Sequence, residues 1–299
     1  MTTPPPFDNP DVVRRQQLRA QLGLEPWLQR RECFELSGLG IHCELYLHHP
    51  EAPTILFLPG IGTYVELYGE LLGKLSRRGF NLVGIDLPGH GYSAGPRGEY
   101  SVKQVCQAVS ATIDQLAEEL HGGFGLFGFS IGALLALRAA EQEPRIDALL
   151  CGTLLLPDLP PDLVHLAGWQ WTWGSAFFFP WLQVPLRSFV DFDLLLAGHP
   201  AGAAINSDPL IVFDYPLSTL SSLFSTRCGV VRNRYPFKAA ILHGDRDEVL
   251  PLSYSERVID HCRHPFELRV MPRTGHMAPW LCTDLMVEQA ADWFAQSLG

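Results

Sequence analysis

Short, wholly apolar runs alternate with amphipathic stretches along the first half of the chain. Thr54-Ile-Leu-Phe-Leu58 is one such run, and Asn81-Leu-Val-Gly-Ile85 is another. Strands buried on both faces read this way, without the polar and apolar alternation of a half-exposed strand. Between the two runs, Leu67, Leu71, Leu72 and Leu75 recur at helical spacing over Tyr64–Arg77. The rhythm continues with a helix over Val102–Leu120, a strand over Gly125–Phe129, a helix over Ile131–Ala140 and a strand over Ala148–Leu155. Ahead of it, Asp11–Leu24 has helical spacing with its arginines on one side, which predicts a surface helix. Glu32–Leu47 alternates around Ser37-Gly38-Leu39-Gly40 and predicts an antiparallel hairpin. Buried strands alternating with helices imply right-handed crossovers and a mostly parallel sheet with helices on both faces.

The rhythm stops near Pro157. From there to Tyr235 the chain is rich in proline and aromatics, with Trp169, Trp171, Trp173, Phe177 to Phe179, Trp181, Phe189 and Phe192, and it shows no clear strand. The strand pattern resumes at Ala239–Leu242 and Glu267–Met271, and a helix over Asp284–Leu298 follows. The expected organisation is a leader and helix over 1–31, a first core part over 32–156, an inserted, mainly helical cap over 157–235, and a second core part over 236–299. Pro4 to Pro6 read as a loose leader. Between Asp162 and Arg187 there is no Asp, Glu, Lys or Arg. A spanning helix needs about 20 mostly apolar residues. Gly168, Gln170, Gly174, Ser175, Pro180, Gln183 and Pro185 interrupt this stretch, so it reads as a buried or lid segment.

Composition narrows the classes. A formal net charge of −10 over 299 residues argues against nucleic acid, whose binding is dominated by phosphate neutralisation. No basic run suggests an anionic-membrane patch. The seven cysteines are scattered, odd in number and free of C-x-x-C spacing, which predicts reduced thiols rather than a disulfide framework. MTTPPPFDNP has neither the basic nor the apolar region of a secretory signal. The expected setting is the cytoplasm.

Candidate chemistry centres on Gly128-Phe129-Ser130-Ile131-Gly132, a G-x-S-x-G between an apolar strand and an apolar helix. A serine in a sharp strand-to-helix turn needs neighbours without side chains two positions away on each side. The turn lifts the hydroxyl above the sheet edge and sets the Ile131 amide and the helix N-terminus beside it, where negative charge develops. The motif alone fits a glycine-rich packing joint equally well. A sheet that carries a nucleophile this way supplies an acid and then a histidine from loops after later strands. His243-Gly244-Asp245-Arg246-Asp247-Glu248 follows one late strand and Thr274-Gly275-His276-Met277 the other. His276 is the candidate base. Asp245, Asp247 and Glu248 compete for the acid role at this level, with Asp245 also suited to shaping its turn. A second oxyanion donor belongs in the loop after the first central strand, Leu58-Pro59-Gly60-Ile61-Gly62-Thr63-Tyr64, where the Ile61 amide is the candidate. Losing one such donor typically costs about 3 kcal/mol of transition-state stabilisation. His90, in Asp86-Leu87-Pro88-Gly89-His90-Gly91-Tyr92-Ser93, precedes Ser130 and reads as part of a structural brace.

These motifs together resemble those of α/β-hydrolases over most of the chain from Glu32 onward. Gly89-His90-Gly91-Tyr92-Ser93-Ala94-Gly95-Pro96-Arg97-Gly98 and Asn206-Ser207-Asp208-Pro209-Leu210 are similar to motifs of the monoacylglycerol lipase and lysophospholipase group, also classed with serine aminopeptidases. The resemblance implies Ser130, Asp247 and His276 as a triad, the Ile61 and Ile131 amides as an oxyanion hole, and no metal or organic cofactor. Two departures bear on the substrate. Pro59-Gly60 stands where the group usually has His-Gly, and Phe129 and Ile131 flank the serine where its lipases often carry His and Met. The expected activity is hydrolysis of monoacylglycerol-like or other small acyl esters through an acyl-enzyme. The expected pocket comprises Gly62, Tyr64, Phe129 and Met277, with Trp169, Trp171 and Trp173 of the cap. The same cap aromatics are candidates for transient contact with lipid aggregates. A second reading applies the triad to thioester, carbon–carbon or N-terminal peptide bonds. The last of these needs acidic side chains near the cap, for which Asp191, Asp193 and Asp208 are the candidates.

Overall fold

Residues 10–188 and 190–298 of the chain are described by this computed structural model. The leader at Pro4 to Pro6 and the aromatic Phe189 lie outside the described residues. The chain opens with helices α1 (Pro10–Gln21) and α2 (Glu25–Leu28), then the hairpin β1 (Glu32–Leu36) and β2 (Ile41–Tyr46). The helix expected over Asp11–Leu24 ends earlier, at Gln21, just before Gly23 with φ 62°, and the short α2 lies beyond the expected range. Next come β3 (Thr54–Leu58), α3 (Gly69–Ser76), β4 (Asn81–Ile85), α4 (Val102–Leu116), β5 (Phe124–Phe129), α5 (Ile131–Ala140) and β6 (Ile146–Gly152). A 3-10 turn over Val65–Tyr68 precedes α3. Helix α4 starts at a capping box, in which the Ser101 side chain accepts the Gln104 amide and the Gln104 side chain accepts the Ser101 amide.

Between β6 and the next strand of the main sheet lie α6 (Leu163–Phe178), β7 (Gln183–Pro185), α7 (Phe192–Leu195), α8 (Ala201–Ser207), β8 (Asp214–Pro216) and α9 (Leu217–Phe224). Strands β7 and β8 form an antiparallel ribbon with Gln183 opposite Pro216 and Pro185 opposite Asp214. The sequence shows no strand here because each is three residues long and ends in proline, which removes a ladder donor. The chain finishes with β9 (Lys238–Gly244), α10 (Leu252–His261), β10 (Glu267–Met271), α11 (Ala278–Leu281) and α12 (Thr283–Leu298).

The main sheet has the order β1-β2-β4-β3-β5-β6-β9-β10. Strand β2 is antiparallel to β1 and to β4, and every other neighbouring pair is parallel. Alternate residues of the central strands feed two cores. Ile55, Phe57, Phe127 and Leu150 pack with Leu71 and Leu72 of α3 and Met286 and Phe294 of α12. Leu56, Leu58, Leu126 and Leu149 pack with Val105 and Ile113 of α4 and Leu134 of α5. Full burial on both faces is why these strands show continuous apolar runs.

The N-terminal helices are tied down by charge. Arg19 bonds both oxygens of the buried Glu66 at 2.7 Å. Arg31 bridges Glu44 at 2.8 Å and Glu66 at 2.9 Å. All seven cysteines are free thiols. No described helix is long and apolar enough to cross a membrane.

Candidate active site

One residue separates β5 from α5. Ser130 joins them with φ 55° and ψ −122°, a conformation L-residues rarely adopt. Holding a non-glycine residue there costs on the order of 1–3 kcal/mol. The glycines two positions away make the turn feasible. A Cβ at Gly128 would run into the backbone of Gly132, and a Cβ at Gly132 would run into the carbonyls of Leu58 and Pro59. The Ser130 amide donates to the Gly152 carbonyl at 2.7 Å, and its carbonyl accepts from Ala133 at 2.8 Å. Backbone bonds on both sides therefore fix the serine.

His276 follows β10. Its Nε2 lies 3.2 Å from Ser130 Oγ and its Nδ1 lies 2.9 Å from Asp247 Oδ2. A carboxylate only accepts, so Nδ1 carries the ring proton and Nε2 is left to accept from the serine hydroxyl. Asp247 is itself held in place. Its Oδ1 accepts the amides of Val249 at 2.8 Å and Leu250 at 2.9 Å, and its Oδ2 accepts the Thr153 hydroxyl at 2.9 Å. Burial pushes this carboxyl up, but the His276 hydrogen bond and charge and the two amides outweigh it and hold it below its ordinary value. The other candidate acids occupy different positions. Asp245 accepts the Thr274 amide at 3.2 Å, and Glu248 accepts the His276 amide at 3.1 Å. The nearby His243 uses both ring nitrogens, with Ser255 at 2.7 Å and the Leu250 carbonyl at 2.9 Å, and burial lowers its pKa.

Facing the serine is the loop after β3. The Gly60 amide donates to Tyr68 Oη at 3.1 Å, and the Gly62 amide to Tyr215 Oη at 2.8 Å. The Ile61 amide between them and the Ile131 amide have no acceptor among the described residues. A cavity of about 110 Å³ opens over Ser130 and His276. Of the expected pocket residues, Phe129 and Met277 line it, as does Ile61. Sequence reasoning missed Tyr68 and Trp280 from the core and Val190, Phe192 and Leu195 from the inserted segment. Tyr68, Phe129 and Trp280 form one aromatic wall, with Tyr68 and Trp280 4.7 Å apart and Phe129 5.2 Å from the His276 ring. Trp280 lies four residues past His276, a signal available in the sequence. A larger groove of about 690 Å³ beside Lys74 and Asp284 contains none of Ser130, Asp247 and His276.

Five expected pocket residues do not line the cavity. Tyr64 is fully buried, with its hydroxyl donating to Asp208 Oδ2 at 2.5 Å. Gly62 spends its amide and its carbonyl on Tyr215 and Val212. Trp169 stacks on Phe224 of α9 at 5.3 Å, while Trp171 and Trp173 are 58% and 66% exposed. The reason is helical geometry. Helix α6 turns Trp169 and Thr172 inward, which places Trp171 on the opposite side, while Trp173, one turn on from Trp169, stays exposed at the edge of that face.

The sheet order and the serine at the β5–α5 joint define the α/β-hydrolase fold. The chain belongs to the family described as serine aminopeptidase, S33, whose profile matches residues 49–279. It is 30% identical over 122 residues to a pimeloyl-[acyl-carrier protein] methyl ester esterase of Nitrosospira multiformis, covering 40% of this chain and 44% of that one. It is 32% identical over 115 residues to an esterase of Mycobacterium tuberculosis, covering 38% and 35%. The chain thus spans less than half the length of these curated relatives. The crystal structure of Paleococcus ferrophilus monoacylglycerol lipase superposes with a TM-score of 0.68 at 21% identity, covering 86% of this chain and 99% of that one.

Proposed function

We propose that this protein hydrolyses small carboxylic esters through an acyl-enzyme on Ser130. The observation that carries the reading is the hydrogen-bonded chain Ser130–His276–Asp247 beside two amides without acceptors among the described residues. In this mechanism Ser130 Oγ attacks the ester carbon as His276 Nε2 takes its proton. The carbonyl oxygen becomes an oxyanion and accepts the amides of Ile61 and Ile131. Asp247, ionised at neutral pH, stabilises the imidazolium. Collapse breaks the ester C–O bond, and the imidazolium protonates the departing alkoxide. His276 then deprotonates a water that attacks the acyl carbon, and the acid leaves as Ser130 regains its proton.

The cavity supports an ester over a charged peptide. Among the described residues, none that lines it is Asp, Glu, Lys or Arg. Asp208 is taken up by Tyr64 and the Leu210 amide, Asp191 caps α7, and Asp193 is exposed. No carboxylate lining the cavity is thus available to hold a substrate amine. Segment 157–235 acts as the cap in this reading, because its Val190, Phe192 and Leu195 roof the serine. The small cavity favours a short acyl group.

Turnover of acylglycerols, short p-nitrophenyl esters, thioesters and aminoacyl amides, with fluorophosphonate labelling, tests the proposal. The expected result is preferred turnover of short esters and labelling that disappears in Ser130→Ala. Faster turnover of aminoacyl amides, or labelling that persists in the variant, overturns it.

The outer face of the cap supports transient contact with lipid aggregates that carry ester substrates. Trp171, Trp173, Phe177 at 83% exposure, Phe178 and Trp181 stand in solvent on a stretch without Asp, Glu, Lys or Arg. Aromatics of this kind partition into a lipid interface. Co-sedimentation with zwitterionic phosphatidylcholine vesicles is expected for the wild type. It weakens in a Trp171→Ala, Phe177→Ala double variant whose turnover of a water-soluble ester is unchanged. Seven free thiols support residence in a reducing compartment.

A further inference from the structure

The proposed mechanism leaves His90 and the residues around Tyr215 without a role, although both are fully buried beside the oxyanion loop. Their hydrogen bonds run in one direction. His90 Nδ1 lies 3.0 Å from the Pro88 carbonyl, which can only accept, so Nδ1 carries the ring proton. Burial lowers the His90 pKa to about 4, which leaves the ring neutral with Nε2 as an acceptor. Tyr215 Oη lies 2.7 Å from that Nε2, so the phenol donates to it. The phenol oxygen in turn accepts the Gly62 amide at 2.8 Å. One chain of donors therefore links Gly62 N–H, Tyr215, His90 and Pro88.

This chain bears on Ile61 because peptide units are planar. The peptide before Ile61 contains the Gly60 carbonyl, which accepts the Thr63 hydroxyl at 2.8 Å and the Thr63 amide at 3.2 Å. In a trans peptide the Ile61 N–H points opposite that carbonyl. The peptide after Ile61 contains the Gly62 N–H, held by Tyr215 of β8. The Gly62 carbonyl accepts the Val212 amide at 2.9 Å from the same cap segment. The core thus orients one peptide plane at Ile61 and the cap orients the other. Nearby, Arg97 donates to the Leu210 carbonyl and Tyr64 to Asp208, so the two motif stretches fasten the cap exit to the core.

We infer that Tyr215 and His90 are positioning residues for the Ile61 amide, and that the seating of the cap sets the geometry of the oxyanion hole through them. The kinetic form of this inference rests on the ester-hydrolase reading. Its structural form does not.

Tyr100 supplies an internal control. Its ring packs edge-on against His90 at 5.4 Å and Tyr215 at 6.5 Å, yet its buried hydroxyl has no hydrogen-bond partner among the described residues. Tyr100→Phe therefore removes a hydroxyl from the same aromatic cluster without breaking the chain. Tyr215→Phe removes the link itself.

The experiment compares both variants with the wild type by p-nitrophenyl acetate kinetics and by hydrogen exchange of the segment 59–64. Deleting an oxyanion donor outright costs about a hundredfold or more in kcat, so loosening one is expected to cost roughly 10- to 100-fold. In Tyr215→Phe that loss falls on kcat, with KM within about twofold, and exchange at 59–64 accelerates. Tyr100→Phe matches the wild type in both measurements. Equal exchange in Tyr215→Phe and wild type overturns the inference, as does an equal loss of kcat in Tyr100→Phe. A wild type that turns over no ester and takes no fluorophosphonate label at Ser130 overturns the ester-hydrolase reading instead. The exchange comparison still decides the positioning role.

Discussion

Ser130 occupies a backbone conformation that opposes stability in favour of geometry. Strain at such a position costs on the order of 1–3 kcal/mol, and a glycine there relieves it while adding roughly 0.5–1 kcal/mol of unfolded-state entropy. Ser130→Gly is therefore expected to be more stable than Ser130→Ala by about 1 kcal/mol, read from urea unfolding midpoints. Equal midpoints would remove strain as the explanation of the turn. Asp247 and Asp245 also separate at this scale. The expected loss in kcat for Asp247→Asn is on the order of 10³–10⁴-fold, because Asn cannot hold the ring in the required tautomer. Asp245→Asn, at a carboxylate that accepts the Thr274 amide rather than His276, retains activity within a few-fold. The reverse pattern in kcat would reassign the acid. The lowered pKa of Asp247 has a defined sign in stability. A carboxyl that resists protonation when folded contributes fully above its unfolded value, about 3.9, and loses that contribution as pH falls through its lower folded value. Wild-type stability is thus expected to fall more steeply below about pH 4 than that of Asp247→Asn.

Among the elements, the hairpin and the N-terminal helices depend on one buried ion cluster. Glu44 and Glu66 are fully buried, and Arg31 reaches both. Removing one partner of a buried pair leaves an uncompensated charge, which costs about 3–5 kcal/mol. Arg31→Ala is expected to lower stability by roughly 3 kcal/mol, since Arg19 still pairs with Glu66. A loss under about 0.5 kcal/mol would show that the cluster is screened like a surface pair. The elements of segment 157–235 divide their work differently from what their composition suggests. Helix α6 carries the tryptophans yet lies outside the cavity, whereas the four-residue α7 and Val190 before it supply the roof. Leu195→Ala lengthens the cavity by a few methylenes. Each buried methylene is worth about 0.8 kcal/mol, so kcat/KM for each added carbon of the acyl chain is expected to rise up to about fourfold relative to wild type. An unchanged chain-length profile would remove Leu195 from the acyl wall.

Across the whole molecule, most of the sheet is legible in the sequence. β3, β4, α5 and β10 fall on the expected residues because each is a local pattern bounded by turn residues. Ser130, Asp247 and His276 are legible for a related reason. Each follows a strand of the parallel part of the sheet, and parallel topology delivers the C-terminal ends of those strands to one edge of the sheet. The choice of Asp247 over Asp245 rested on resemblance, since two residues in one loop share the same local pattern. Only the tertiary structure separates them, through the directions of their side chains toward His276 and Thr274. The same limit explains Trp171 and Trp173. An aromatic side chain carries no local record of which face of its helix meets a neighbour, and the packing of α6 on α9 turned these two to solvent. It also explains Tyr215, far along the chain from Gly62, whose hydroxyl meets that amide only in the folded molecule. The sequence by itself determined the strands, the crossovers and the three chemical groups at their ends, because burial and turn formation act over a few residues. The tertiary structure decided which of two carboxylates faces His276, which side chains wall the cavity and which residue of segment 157–235 holds the Gly62 amide, because these depend on contacts between segments far apart in the chain.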